Sequence, residues 1–256
     1  MRFSRLKLVP SAALFALLLA LARPLWAGPP FITDDPDPVP YQHWEVYLAS
    51  TGLRAADGWS GTLPHIEVNY GAAPGLQLHI IAPMVAAQTA GAPRQYGYGD
   101  TELGAKVRFV KEGQFGKDTP EIGVFPLVEV PTGDAARGLG AGYTQVFIPM
   151  WVQKSWGPDQ HWTSYGGAGF WRNPGPGNRN WNFAGWELQR DFSKTLTLGG
   201  EAFHETADTL GAKGGFGFNL GGFVNFTDHR HLLFSLGRNG QQDHGLLWYA
   251  AYQWTF

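Results

Sequence analysis

The chain has 256 residues, no cysteine and a formal charge of −2, with 16% charged and 14% aromatic residues. So many rings against so few charges exclude a disordered chain. The missing cysteines exclude a disulfide framework, a thiolate metal site and a lipidated cysteine, and the acidic balance argues against nucleic acid as a partner.

In chain order, residues 1–27 have the three parts of a secretory signal. Arg2, Arg5 and Lys7 form a positive start, Val9 to Leu21 an apolar stretch, and Leu25-Trp26-Ala27 a cleavage site. The apolar stretch is short for a membrane-spanning helix, which needs roughly 20 residues, and no later segment supplies one. Loss of Arg2, Arg5, Lys7 and Arg23 with the signal takes the formal charge from −2 to −6. Residues 28–42 (GPPFITDDPDPVPYQ) are too rich in proline for a helix or a central strand. They read either as a solvated periplasmic leader or as a plug, with Asp34, Asp35 and Asp37 as the plug's charges.

From His43 to Phe256 the pattern alternates with a period of two. Twelve strands are expected, at 43–54, 60–71, 75–87, 96–111, 119–131, 143–154, 160–171, 180–190, 194–205, 215–227, 230–238 and 246–256. The last puts Leu246, Trp248, Ala250, Tyr252, Trp254 and Phe256 on one face. The tenth sets Phe216, Phe218, Leu220, Val224 and Phe226 against Asn219 and Asn225. The seventh is ambiguous, because both of its faces carry aromatic residues and glycine. Tight links alternate with longer ones rich in Gly, Pro or Asn, as in barrels with short periplasmic turns and long external loops. Aromatic residues gather near the strand ends: Trp44, Tyr70, Phe109, Phe226, Trp254 and Phe256 at the periplasmic end, and Trp59, Tyr96, Trp171, Trp181, Phe216 and Trp248 at the outer end. The fold expected is all-β, a transmembrane antiparallel up-and-down barrel of about twelve strands in the bacterial outer membrane. A soluble sandwich or small barrel shares the alternation but turns the apolar face inward. The strand number and the terminal aromatic-x-aromatic sequence favour the membrane form.

Several stretches resemble an outer-membrane family labelled "phenol meta-pathway degradation protein", described as a transporter. They are Phe31 to Pro36 (FITDDP), His43-Trp44-Glu45, Gly97 to Lys106 (GYGDTELGAK), Val130 to Asp134 (VPTGD), Gln153 to Gly157 (QKSWG) and His231 to Ser235 (HLLFS). The resemblance covers nearly all of the chain after the signal. It implies a single transmembrane barrel that passes small molecules, and it supplies no agreed functional residues.

A charge that faces lipid at mid-membrane costs several kcal/mol, whereas one facing the lumen tunes selectivity. The lumen set expected from parity is Glu45, His65, Glu67, His79, Glu102, Lys106, Arg108, Glu121, Glu129, Glu187 and Glu201, with Glu205 beyond. These groups either brace a filled lumen by pairing across strands or form an acidic constriction for neutral or cationic solutes. Glu67 or Glu121 is the expected partner of Arg108. The segment Pro131-Thr132-Gly133-Asp134 reads as an inward-folded loop or as a surface turn.

Enzymes acting on lipids from such a wall need a nucleophile and a base within hydrogen-bond reach. His204 has lipid-facing parity, with Asn182 and Phe216 or Phe218 as expected neighbours and no serine beside it. No histidine spacing suits a metal, and no cofactor motif is present. The reading is therefore a channel rather than an enzyme. Its partners would be outer-membrane lipids, a small-molecule solute that is apolar or aromatic, and the barrel-assembly machinery acting on the last strand. A structural or interaction barrel with a filled lumen is the alternative, and a lipid-acting enzyme ranks below both.

Overall fold

The computed structural model describes residues 30–56, 58–157, 159–240 and 244–256; the signal-peptide expectation for residues 1–27 lies outside them. Among the described residues fourteen strands form one sheet: β1 (Trp44–Ala55), β2 (Gly58–Ala73), β3 (Leu76–Thr89), β4 (Gln95–Tyr98), β5 (Thr101–Val110), β6 (Glu121–Val124), β7 (Leu127–Val130), β8 (Gln145–Trp156), β9 (Trp162–Arg172), β10 (Trp181–Ser193), β11 (Leu196–Glu205), β12 (Gly215–Thr227), β13 (Arg230–Arg238) and β14 (Leu246–Thr255). Collinear β4 and β5 make one stave and β6 and β7 another, so the sheet closes as a barrel of twelve antiparallel staves. β14 pairs with β1 from Glu45↔Thr255 to Arg54↔Leu246, and β5 joins β3 to β6 and β7. Closure leaves no edge strand, the condition a sheet must meet in hydrocarbon, where no water is present to satisfy free N–H and C=O groups.

The two interrupted staves depart from the expected continuous strands at 96–111 and 119–131, and each break has a local cause. At Gly99-Asp100 the Asp100 carboxylate turns away from the ladder to accept the N–H groups of Gly133 at 2.8 Å and Ala141 at 2.6 Å. At Phe125-Pro126 the proline has no N–H to give to the ladder. The remaining boundaries fall within three residues of the periodicity reading, the largest difference being the end of β10 at Ser193.

The apolar face looks outward. Phe216, Phe218, Leu220, Leu236, Trp254 and Phe256 are exposed on the exterior, with Phe216 at 74% and Leu220 at 65%. Lys106, on the opposite parity, is 1% exposed and points inward. Trp171 and Trp181 depart from the expected lipid-facing girdle. Both lie on the inner face, where Trp171 stacks on Phe147 at 4.7 Å between centroids and on Trp181 at 5.4 Å. His204 has Ala184 and Phe216 as its register partners, not Asn182.

An arginine placed mid-height on the outer wall tests the direction of the pleat. Leu220→Arg should destabilise the bilayer-inserted barrel by about 2–4 kcal/mol, read as a lower midpoint of denaturant unfolding from vesicles. An unchanged midpoint would mean that Leu220 does not face lipid.

Candidate functional site: the barrel interior

Residues 30–42 run inside the barrel and not along a periplasmic surface. Inward-facing side chains from four staves hold them. The Glu201 carboxylate on β11 accepts the N–H groups of Ile32 at 2.9 Å and Thr33 at 2.8 Å. Gln77 on β3 accepts the N–H of Val39 at 2.9 Å, and the Ser235 hydroxyl on β13 donates to the Pro30 carbonyl. Pro30, Pro36, Pro38 and Pro40 bring no N–H to be satisfied, while Asp34 and Asp35 accept the N–H groups of Asp35 and Asp37. Proline thus lowers the cost of burying irregular backbone.

The segment's charges meet two cations on β5. Lys106 Nζ lies 3.0 Å from Asp34 Oδ1 and 3.2 Å from Asp35 Oδ1, and 5.1 Å from the centre of the Phe125 ring. The guanidinium of Arg108 pairs with Asp37 and, at 3.1 Å, with Glu121 Oε1 on β6. Arg108 therefore takes one of its two expected partners, Glu121. Glu67 goes instead to a network around His79.

In that network Asn69 donates to Glu67 Oε1 at 2.8 Å, which turns its own carbonyl oxygen toward His79 Nδ1 at 2.6 Å. The other ring nitrogen, Nε2, meets Glu102 Oε1 at 2.9 Å. Both His79 nitrogens thus face acceptors, and the ring ties β2 and β3 to β5. His65 binds the Thr62 hydroxyl through Nδ1 at 2.7 Å. Glu45 accepts from the Tyr47 hydroxyl at 2.8 Å, and Gln253 donates to the same hydroxyl. Glu129 stands opposite Glu102 in register. Glu187 stands opposite Glu201 and is fully buried, with neither carboxylate oxygen hydrogen-bonded.

All eleven lumen residues expected from parity therefore line the interior, but in three groups: the clamp on residues 30–42 (Lys106, Arg108, Glu121, Glu201), the His79 network (Glu67, His79, Glu102) and separate wall positions (Glu45, His65, Glu129, Glu187). Asp34, Asp35 and Asp37 belong to the first.

Parity missed two things. One is an aromatic cluster on the inner face of β8–β11 and beside β6, made of Phe125, Phe147, Trp151, Phe183 and Phe203, which fills that side of the lumen. Its signal is in the sequence, since these strands carry rings on both parities. The other is a cavity of about 480 Å3 beside that cluster, with Phe31, Tyr47, Glu67, Glu102, Phe125 and Leu247 in its wall. Toward the outer end, residues 131–142 are largely exposed, Pro131, Thr132 and Asp134 among them, and one side chain of the segment turns inward. Leu139 is buried, and its Cδ1 lies 2.9 Å from where a Cβ on the inward-facing Gly97 would be.

No protein-family profile and no curated protein matches the chain. Solved structures do. An outer membrane channel from Pseudomonas putida F1 superposes with a TM-score of 0.69 at 15% identity, covering 87% of this chain and 98% of that one. The translocator domain of the autotransporter NalP from Neisseria meningitidis superposes with a TM-score of 0.53 at 12% identity, over 84% and 89%. The fold is that of outer-membrane β-barrels.

Removing Lys106 leaves Asp34 and Asp35 buried beside each other without their cation, a loss of about 3–5 kcal/mol for a broken buried pair. Lys106→Met should free residues 31–39 from the wall, measured as faster amide hydrogen exchange in that segment with the strand amides unchanged. Equal exchange in variant and wild type would refute the clamp.

Proposed function

We propose that the protein is a bacterial outer-membrane channel for small, largely apolar molecules, in which residues 30–42 act as a plug. The observation that carries this reading is the lumen itself. It holds a cavity of about 480 Å3 with Phe31, Tyr47, Leu127 and Leu247 in its wall, a size suited to one small organic molecule. The segment below that cavity is held by side chains, not by strand pairing. Ion pairs and single hydrogen bonds can be exchanged for bonds to water while the sheet stays closed, so the segment can shift without breaking strand pairing. The sequence resemblance to a transporter family and the superposition on an outer membrane channel support the same reading. The export signal supports placement in the outer membrane. The acidic groups facing the cavity, Glu67 and Glu102, would favour neutral or cationic solutes over anions.

The second reading, a filled barrel with a structural or binding role, draws on the aromatic cluster and on the buried Glu187. A lipid-acting enzyme has little support, because His204 lies against Phe216, edge to face at 4.7 Å, with Ala184 on its other side in register.

Conductance separates channel from filled barrel. In planar bilayers the wild-type protein should carry small currents, and deletion of residues 30–40 should raise the unit conductance severalfold. A deletion variant that inserts and carries no current, together with unchanged solute uptake by a strain lacking the protein, would exclude the channel.

A further inference from the structure

The outer wall near the periplasmic ends of β8, β9 and β10 carries a feature that neither the plug nor the lumen uses. Register sets three outward-facing rows there. Trp156, Trp162 and Arg190 form the row nearest the periplasm, Lys154, Ser164 and Leu188 the next, and Val152, Gly166 and Trp186 the third. The small Ser164 side chain leaves a hollow in the second row. The Trp186 indole lies across Gly166 and donates to Ser164 Oγ at 2.6 Å, which fixes one side of that hollow. The result is a recess of about 380 Å3 lined by Trp156, Trp162, Ser164 and Leu188.

A cation stands at the rim of the recess. The Arg190 guanidinium lies 5.3 Å from the centre of the Trp162 ring and 5.1 Å from that of Phe192. Lys154 differs, because its ammonium is taken up by Glu112 at 2.9 Å. Among the described residues no carboxylate lies within ion-pair distance of Arg190. Aromatic faces hold a guanidinium through its π surface and leave its N–H edges free for a bidentate acceptor such as phosphate. Tryptophan-rich rows mark headgroup depth, so the free edge of Arg190 sits at the polar boundary and the recess extends from it toward hydrocarbon.

We propose that this recess is a binding site for one glycerophospholipid of the inner leaflet, with its phosphate on Arg190 and one acyl chain along Leu188 and Trp186. Charge complementarity selects the headgroup, and the apolar floor selects a chain-bearing lipid over a free anion. The site rests on the transmembrane reading of the barrel and is independent of whether the lumen conducts.

The test is native mass spectrometry of the full, refolded barrel released from detergent micelles and titrated with phosphatidylglycerol. Wild type should retain one lipid through detergent removal. Arg190→Gln should weaken binding by about tenfold, the scale of a hydrogen bond to a charged group. Leu188→Trp, which fills the recess and keeps Arg190, should weaken it comparably. Lys194→Gln, a cation lost from a neighbouring periplasmic turn, should leave it unchanged. Heat-modifiable gel migration reports that each variant is folded, and Leu188→Trp carries the test if Arg190→Gln does not fold. The proposal is overturned if both recess variants bind like wild type. It is also overturned if inorganic phosphate or glycerol 3-phosphate displaces the lipid at equal concentration, which would mark a plain anion site.

Discussion

Lys106 and Arg108 stand two residues apart on the inner face of β5, and the path of residues 30–42 follows from them. A cation facing the lumen of a narrow barrel has little bulk water to solvate it, so it must find carboxylates or leave the charged state. The wall alone offers Glu121 to Arg108 and gives Lys106 no carboxylate of its own. Asp34, Asp35 and Asp37 complete the set. Folding the N-terminal segment into the barrel thus supplies carboxylates to both cations of β5. The same arrangement explains why the segment need not be a strand, since its affinity comes from side chains on four staves and not from a ladder.

Glycine on the wall makes the approach close enough. A Cβ at Gly71 would lie 1.9 Å from the Pro40 carbonyl oxygen, and one at Gly185 would lie 2.2 Å from Thr33 Oγ1. Neither site tolerates a side chain while the segment stays where it is. These glycines sit on two sides of the lumen, so the segment touches opposite walls and blocks the space between them. The barrel's other half is blocked differently, by rings. Phe147, Phe183 and Phe203 pack at centroid distances near 6 Å and supply the van der Waals contact that an empty lumen would lack. Part of the interior is therefore filled by rings, a segment held with exchangeable bonds crosses the rest, and the cavity is lined by both, through Phe125 and Phe31.

Much of this was legible in the alternation of the sequence, because a pleat has two faces and lipid accepts only one kind of side chain. The outward set on β12 and β14 and the inward parity of Glu45, Glu67, Lys106 and Arg108 follow from that constraint alone. It says nothing of which inward groups meet. Lys106 and Asp35 are 71 positions apart, and nothing in the spacing of either pairs them. Trp171 and Trp181 read as girdle residues from their places near strand ends, although Trp181 shares the parity of Glu187; in fact Trp171 stacks on Phe147 and Trp181 on Trp171. The proline-rich segment left two readings open, since proline excludes ladder positions in solvent and in a lumen alike.

Partner choice around His79 shows how local geometry settles what parity leaves open. Parity allows Glu67 as a partner of Arg108, but Asn69 donates to Glu67 and presents its own oxygen to His79. Arg108 is then left to Glu121 and Asp37. The wall network and the clamp are consequently two separate sets of bonds at successive positions along the inner face of β5, Glu102 belonging to the first and Lys106 and Arg108 to the second. Loosening the clamp leaves the His79 bonds between β2, β3 and β5 intact, so the segment can give way while the stave that carries its cations stays in place.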